Sequence, residues 1–256
     1  MAVDYISVED AIGRGGLRMV VVGGVPSPWG EAAKGILHIK GIDWAAVRLV
    51  YDDDRLTAWA GQRSGPVAIY NDEPPRSGWA EILSLAERLA PTPALTPEDA
   101  EQRALMLDLA GDICGEGGLG WTRRVQLVHA GLNGAGGFAE PVAQYIGQKY
   151  GYSPEAGAAA GGRVADLLGR LAARLKAQHD AGSAFYVGQA VTALDVYSAT
   201  FMALFAPLPP EQCDMNPRTR QAFATLDAQT EAALDPILLQ HRDRTYDSYL
   251  ALPLSL

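Results

Sequence analysis

The sequence is poor in cysteine, carries no excess of basic residues and has no long hydrophobic run. Its two cysteines, Cys114 and Cys213, lie far apart and form neither a Cys-x-x-Cys pair nor a metal-ligand spacing, so neither a zinc site nor a redox disulfide is implied. The net charge of −9 argues against a nucleic-acid partner. No segment reaches the roughly 18 apolar residues that a membrane span requires. We therefore expect a soluble cytoplasmic protein without a metal site, a nucleic-acid partner or a membrane anchor.

The remaining composition supports a folded protein with two halves of different character. The chain has 256 residues, of which 48% are hydrophobic, enough for one large domain or two modest ones. In the first half, β-branched runs predict strands at residues 19–22, 46–50 and 67–70, with helices at 32–40 and 79–89. This order is a β-α-β unit followed by a strand and a helix. The acidic run at residues 52–54 is typical of a solvated turn or a helix start.

The second half has helical periodicity throughout. Apolar residues recur at helical spacing from Leu105 to Ile113 and again from Val164 to Leu175. In the intervening linker, Thr96 and Pro97 fit the N-cap and the first position of a helix. The sequence thus predicts one domain at residues 1–90, a linker at 91–98 and an all-helical domain at 99–256.

A glycine motif in the second half resembles a dinucleotide-binding fingerprint. Gly115, Gly117 and Gly120 satisfy G-x-G-x-x-G, and Glu140 follows at about the expected distance of 20 residues. The fingerprint needs a preceding strand, whereas the residues before Gly115 are helical in pattern. A connection between two helices explains the glycines better.

Residues 17–41 carry the strongest functional signal. An apolar run ends at Gly23 and Gly24, and the chain then passes through Ser27 and Pro28 into a helical pattern. A helix N-terminus has unpaired amides and a partial positive charge, which stabilise an anion or a thiolate. Ser27 is therefore either the N-cap of this helix, with Pro28 at the first helical position, or a residue with a chemical role.

Three segments together resemble the glutathione transferases over nearly the whole chain. They are SPWGEAAKGILHIKG, which begins at Ser27, GPVAIYND, which begins at Gly65, and YVGQAVTALDVYSATF, which begins at Tyr186. The resemblance implies an α/β thioredoxin-like N-terminal domain of order βαβ-ββα, followed by an all-α helical bundle. It also implies a homodimer with glutathione as its cofactor.

The resemblance also implies roles for individual residues. Ser27 is expected to donate a hydrogen bond to the glutathione sulfur. Gly65, Pro66 and Val67 correspond to the cis-proline turn, where the backbone pairs with the cysteinyl part of glutathione. The remaining glutathione-binding candidates are Trp29, Gln62, Arg76 and Ser77. Thr192 and Asp195 resemble the family's N-capping box and are expected to be structural.

One position departs from the family pattern. Relatives have an acidic residue before the serine at the start of the third helix, whereas here arginine, Arg76, precedes Ser77. Ser77 could cap the helix and bind the glutamyl carboxylate, and Arg76 could pair with a carboxylate. The amino group of the glutamyl end would then need another acid, such as Asp72 or Glu73.

These observations lead to an expected activity and two alternatives. We expect activation of the glutathione thiol for attack on a small, partly apolar electrophile, bound in a cleft between the domains near Trp29, Trp121 and Tyr145. The alternatives are a glutathione-dependent isomerase or ether-cleaving lyase, and a non-catalytic binding or scaffold protein of the same architecture.

Overall fold

A computed structural model describes residues 4–256, which divide into two compact units. The first unit contains residues 4–94 together with two later segments, Pro210–Met215 and Tyr249–Leu256. The second contains Leu95–Pro209 and Asn216–Ser248. The two later segments of the first unit belong, in the sequence-based division, to the helical half.

The first unit alternates strands and helices. Its elements are β1 (Tyr5–Ile6), α1 (Val8–Ile12), β2 (Leu17–Val21), α2 (Pro28–Ile39), β3 (Trp44–Arg48), α3 (Asp54–Ala60), β4 (Val67–Tyr70) and α4 (Trp79–Leu89). All five residues of β2 are buried, as expected for the apolar run that begins at Met19, and the buried set also includes Arg18. At the acidic run, Asp53 caps α3 by accepting a hydrogen bond from the Leu56 amide at 2.9 Å. Of the two alternatives for this run, the helix start is confirmed.

The four strands form one sheet in the order β1-β3-β2-β4. β1 and β2 both pair with β3 in parallel, whereas β4 runs antiparallel to β2. The thioredoxin-like class is confirmed, although the detailed order differs from βαβ-ββα. β1 and α1 precede the β-α-β unit, and the last strand is reduced to a single antiparallel bridge between Ala68 and Arg76.

A buried lysine joins α2 to the residues that follow α4. The Lys40 side chain is fully buried and donates hydrogen bonds to Glu87 Oε2 at 2.9 Å and to the carbonyls of Ala90 and Pro93, both at 2.8 Å. Three acceptors satisfy its three ammonium hydrogens, which is the condition under which a buried charge is tolerated. Lys40 therefore fixes where the chain leaves α4.

The second unit is entirely helical in the part of the chain that the structure describes. Its α-helices are α5 (Ala100–Cys114), α6 (Leu119–Leu132), α7 (Glu140–Lys149), α8 (Pro154–Asp180), α9 (Ala193–Phe201), α10 (Pro217–Ala224), α11 (Ala228–Ala233) and α12 (Pro236–Tyr249). The predicted helical domain is thus confirmed as a class. Among residues 4–256, no helix has both the length and the hydrophobicity that a membrane span needs.

Two local predictions in this unit have opposite outcomes. The N-cap of α5 is Asp99, which accepts from the Gln102 amide at 2.8 Å, so the proposed cap at Thr96 is wrong. Asp is as good a cap as Thr, and Asp99 lies directly before the first helical residue. The interpretation of the glycine motif is confirmed, because Gly115 is the C-cap of α5 and Gly118 is the N-cap of α6, with helices on both sides.

The predicted capping box at α9 is present and forms part of a buried network. Asp195 is fully buried, and its Oδ2 accepts from the Thr192 amide at 2.7 Å and from the Thr192 hydroxyl at 2.8 Å. Its Oδ1 accepts from the Tyr186 amide at 3.0 Å and lies 3.2 Å from His241 Nε2. Arg244 lies 2.8 Å from His241 Nδ1, and since a guanidinium can only donate, Nδ1 is the acceptor and Nε2 carries the hydrogen.

Candidate active site

Ser27 lies where the sequence predicts, directly before the first residue of α2. It is the N-cap of that helix, and Pro28 follows in the first turn. The Ser27 carbonyl accepts the Glu31 amide at 2.8 Å, but within residues 4–256 its side chain makes no capping hydrogen bond. The half-buried hydroxyl is therefore not consumed by the helix amides. It remains able to donate to a ligand at a helix end that favours negative charge.

An ion pair lies on the same face of α2 as Ser27. Residues 27, 31 and 34 are four and seven positions apart, which places them on one side of a helix. Glu31 is buried, and its Oε1 lies 2.7 Å from Lys34 Nζ. Burial raises the pKa of Glu31, and the positive charge of Lys34 partly opposes that shift. Lys34 also donates to the Ser255 carbonyl at 2.6 Å, so the C-terminal segment of the first unit is attached to this face.

The Gly65-Pro66 peptide bond is cis, as the resemblance implies, and leads directly into β4. A Cβ on residue 65 would lie 3.1 Å from the Val20 carbonyl oxygen, so the backbone of Gly65 is packed closely against β2. Among residues 4–256, no acceptor is found for the Gly65 amide. Gln62 is half-buried in the same connection, directly after Gly61, the C-cap of α3.

The start of α4 differs from the sequence-based expectation. The N-cap is Gly78, and Ser77 is an exposed residue before it, so the proposed capping by Ser77 is wrong. The capping group is instead the carboxylate of Glu81 in the first turn, whose Oε2 accepts from the amides of Gly78 at 2.9 Å and Ser77 at 3.3 Å. A glutamate at the third helical position is the sequence signal that could have identified this cap.

Arg76 is part of a local charge cluster rather than an isolated surface residue. Its Nη2 lies 2.7 Å from Glu73 Oε2, and Arg88 Nη2 lies 2.6 Å from the same oxygen. These two guanidinium groups hold the pKa of Glu73 below its ordinary value, with the hydrogen bond from Arg88 as the largest cause. Glu73, suggested as a partner for a ligand amino group, is thus engaged by two internal cations.

The sheet brings several of these residues to one end of the first unit. Val20, near the end of β2, pairs with Val67 at the start of β4, so the segment leading to Ser27 and the Gly65-Pro66 turn lie at the same end of the sheet. The bridge from Ala68 to Arg76 adds Arg76 and Ser77 to the β4 edge.

The aromatic candidates fall in both units. Trp29 is half-buried in the first turn of α2. Trp121 lies in α6, where its Nε1 donates to the Tyr150 carbonyl at 3.1 Å and its ring contacts the Tyr150 ring edge-on, with a centroid distance of 4.7 Å. Tyr145 lies in α7 and is 49% exposed. The role of these three residues in substrate binding stays a prediction.

Comparisons with known proteins concern the fold. No protein-family model matches the sequence, and no curated protein matches it. Solved structures do match with probability 1.00. A glutathione S-transferase from Methylobacterium radiotolerans in complex with glutathione sulfonate has a TM-score of 0.60 and 18% identity, covering 91% of each chain. A glutathione transferase family member from Pseudomonas fluorescens with two glutathione molecules bound has a TM-score of 0.63 and 13% identity, covering 94% of this chain and 93% of its own.

A third match is a maleylacetoacetate isomerase from Anaeromyxobacter dehalogenans with bound dicarboxyethyl glutathione and citrate. Its TM-score is 0.53 at 20% identity, and the match covers 90% of this chain and 86% of the isomerase. At these identities the comparisons establish the fold. The chain has the glutathione S-transferase fold, with a thioredoxin-like part and an all-helical part.

Proposed function

We propose that the protein is a glutathione transferase-like enzyme that activates the glutathione thiol at Ser27 for attack on a small, partly apolar electrophile. The observation that carries this proposal is the Ser27 hydroxyl, which lies at the start of α2 and is not used as a cap. The shared fold with proteins crystallised with glutathione or with glutathione sulfonate supports the choice of thiol.

The chemistry that Ser27 supports is stabilisation of a thiolate. A free thiol has a pKa near 8.5 and is mostly protonated at neutral pH, whereas the thiolate is the nucleophile. A hydroxyl that donates to sulfur and a helix N-terminus both favour the charged form, and the thiol proton passes to solvent. The sulfur then forms a bond to an electrophilic carbon, and the electron pair of the broken bond leaves with the displaced group. Ser27 forms no mixed disulfide, which disfavours thiol-reductase chemistry.

The residues of the first unit fit part of glutathione. The Gly65 amide, without an acceptor among residues 4–256, suits donation of a hydrogen bond to the cysteinyl carbonyl of a peptide ligand. Trp29, Gln62, Pro66 and Val67 are proposed neighbours of that ligand. Arg76 and Ser77 are proposed for the glutamyl end, where the fit is poorest, because Arg76 already pairs with Glu73.

Titration calorimetry combined with ultraviolet difference absorbance tests the proposal. We expect glutathione to bind the wild-type protein with a thiolate absorbance that is lost in Ser27→Ala. Ser84→Ala, which removes an exposed hydroxyl from α4, is the matched control and should retain the signal. Absence of binding at millimolar glutathione would contradict the proposal.

A glutathione-dependent isomerase is the second candidate, and the match to the maleylacetoacetate isomerase supports it. It uses the same thiolate but returns glutathione unchanged, because the sulfur–carbon bond formed in the first step breaks in the last. Product analysis separates the candidates: a transferase consumes one glutathione per turnover, and an isomerase consumes none. An ether-cleaving lyase shares the cofactor and would be recognised by its products.

A non-catalytic binding or scaffold protein is the third candidate, favoured by the engagement of Arg76 and Glu73 with each other. Ligand binding without any thiolate signal would support it. We further propose a homodimer, which sedimentation equilibrium would test. A cytoplasmic location is consistent with Cys114 and Cys213, which are buried thiols of the described chain.

A further inference from the structure

We propose that Arg48 binds a carboxylate of the electrophile, so that the site takes anionic, partly apolar electrophiles in preference to neutral ones. This inference rests on the proposed function, because it assumes a thiol ligand held between Ser27 and Gly65. It names the chemical class of the second substrate and assigns a specificity-determining residue to it.

Arg48 ends β3, at the edge of the sheet from which the chain runs to Ser27. β2 and β3 are parallel, and Arg48 pairs with Val21, the last residue of β2. The carboxyl ends of both strands therefore meet at this edge, which is where open α/β sheets bind their ligands. Gly24, in the turn after β2, is three residues before Ser27, so the two Cα atoms are at most about 11 Å apart.

The Arg48 guanidinium lies against the turn that connects β2 to Ser27. A Cβ built on Gly23 would be 2.7 Å from Arg48 Nε and 3.0 Å from its Cζ, and one built on Gly24 would be 3.7 Å from Nη2. Only a residue without a side chain at position 23 allows this approach. Arg48 Cζ also lies 5.8 Å from the centre of the Tyr5 ring, a cation–π contact. These contacts hold the guanidinium beside the turn, while the residue as a whole stays exposed.

The hydrogen-bond donors at this turn have no acceptor within the part of the chain that the structure describes. There, no hydrogen bond or ion pair joins the Arg48 guanidinium to another residue, and the amides of Gly23 and Gly24 have no acceptor either. The buried carboxylate of Glu31 is paired with Lys34 instead. Arg48 therefore keeps its charge and its N–H groups available for a ligand carboxylate, which a guanidinium binds in bidentate geometry.

The sheet order separates Arg48 from the proposed thiol ligand. β3 and β4 lie on opposite sides of β2, so Arg48 and the Gly65 turn flank the segment that leads to Ser27. Neighbouring strands are about 4.8 Å apart, which puts the two flanks roughly 10 Å from each other. A peptide paired with Gly65 occupies the β4 side, and an electrophile that approaches the sulfur from the β3 side brings its anionic group to Arg48. Apolar Val25 follows the turn and exposed Val50 follows β3, which suits the apolar part of such a molecule.

Two chloroarenes that differ in one group test this assignment. A chlorodinitrobenzoate with chlorine para to the carboxylate is the anionic probe, and the corresponding chlorodinitrobenzamide is the neutral one. In both, the glutathione thiolate attacks the ring carbon that bears chlorine, a sulfur–carbon bond forms, and chloride leaves with the electron pair of the broken bond. We would measure kcat/KM for each probe at saturating glutathione and divide it by the uncatalysed rate constant, which removes the difference in intrinsic reactivity.

Three variants isolate the contribution of the guanidinium. Arg48→Met removes it. Gly23→Ala keeps the charge but displaces the guanidinium from the turn, because the new Cβ would lie 2.7 Å from Nε. Arg14→Met removes an exposed arginine that precedes β2, at the opposite end of the sheet, and is the matched control for loss of one positive charge.

We expect the wild-type protein to prefer the benzoate to the benzamide. Arg48→Met should lower kcat/KM for the benzoate about three- to tenfold, mainly through KM, and should leave the benzamide reaction and glutathione binding unchanged. Gly23→Ala should shift the benzoate reaction in the same direction. Arg14→Met should match wild type for both probes.

Several outcomes would overturn the role of Arg48. They are a loss in Arg48→Met that both probes share equally, no loss for either probe, a loss confined to glutathione binding, and a wild-type protein that conjugates the benzoate no faster than the benzamide. In each of these cases the Ser27-dependent thiolate signal would still uphold the proposed function. Absence of that signal together with absence of conjugation would overturn both proposals.

Discussion

Lys34 neutralises a buried carboxylate one helical turn before it: its Nζ lies 2.7 Å from Glu31 Oε1, and the two side chains are only 14% and 6% exposed. The same ammonium holds the Ser255 carbonyl at 2.6 Å. Lys34 therefore supplies the counter-charge for the buried Glu31 carboxylate. It also holds the C-terminal segment against α2, the helix that Ser27 caps.

Replacing Lys34 with methionine should destabilise the first unit by about 3 kcal/mol, because it leaves Glu31 buried without its counter-charge. Urea denaturation measures this loss. Lys176→Met removes the ammonium of a more exposed ion pair, with Asp235, and should cost about 1 kcal/mol or less. Equal losses in the two variants would show that the Lys34 pair is not effectively buried.

The loss in Lys34→Met should also depend on pH. Burial raises the pKa of Glu31 above its ordinary value, so the folded state holds that proton more tightly than the unfolded state. Stability from this group is fully present below the ordinary carboxyl pKa and is lost as pH rises through the raised value. Without Lys34 the pKa of Glu31 rises further, so the variant should lose more stability relative to wild type at pH 8 than at pH 5. A pH-independent difference would contradict this assignment.

Lys40→Met should loosen the segment after α4. The variant loses the hydrogen bonds to Glu87, Ala90 and Pro93 and leaves their oxygens without the ammonium, at a cost of about 3 kcal/mol. Because two of the acceptors are backbone carbonyls beyond α4, limited proteolysis followed by mass spectrometry should show faster cleavage at residues 90–98. Glu87→Gln keeps both carbonyl contacts and should show a smaller increase.

Asp195→Ala should destabilise the second unit strongly. It leaves the amides of Thr192 and Tyr186 without their acceptor and removes the partner of His241, for a combined loss of about 3 kcal/mol or more. Thermal unfolding measures the effect. Thr192→Ala removes only the Thr192 hydroxyl and keeps the hydrogen bond from the residue 192 amide to Asp195, so it should cost about 1 kcal/mol. If both variants unfolded at the same temperature, the links of Asp195 to Tyr186 and His241 would contribute little.

The parts of the fold that were predictable from sequence have strong local signals. The apolar run of β2, the turn through Ser27 into α2 and the capping box at Thr192 each depend on neighbouring residues. β1 was missed because two residues, Tyr5 and Ile6, are too few to show a period. α3 was foreseen only as a possible helix start, because a helix of seven residues shows less than two turns of pattern.

The ion pairs of the candidate site were less predictable from sequence, because each charged side chain has several possible partners and only the fold determines which of them it contacts. Arg76 was identified, but its pairing with Glu73 and the role of Arg88, 15 residues from Glu73, were not. Ser77 looked like the cap of α4 because serine is a favoured cap, whereas Glu81 reaches back to the same helix start. The contact between Lys34 and Ser255 spans 221 residues and has no local sequence signal.

Ser27→Cys should convert the site from thiolate stabilisation to thiol exchange. The substitution places a thiol at the N-terminus of α2, where unpaired amides and the helix dipole lower a cysteine pKa below about 8.5. The thiolate attacks the sulfur of oxidised glutathione, forming a mixed disulfide and releasing one reduced glutathione, so mass spectrometry should show one added glutathione on the intact chain. Ser84→Cys, which adds an exposed thiol in the body of α4, controls for non-specific exchange and should react more slowly. Equal rates for the two cysteines across pH 6 to 9 would show that the start of α2 does not activate sulfur, and would remove the physical basis for the role proposed for Ser27.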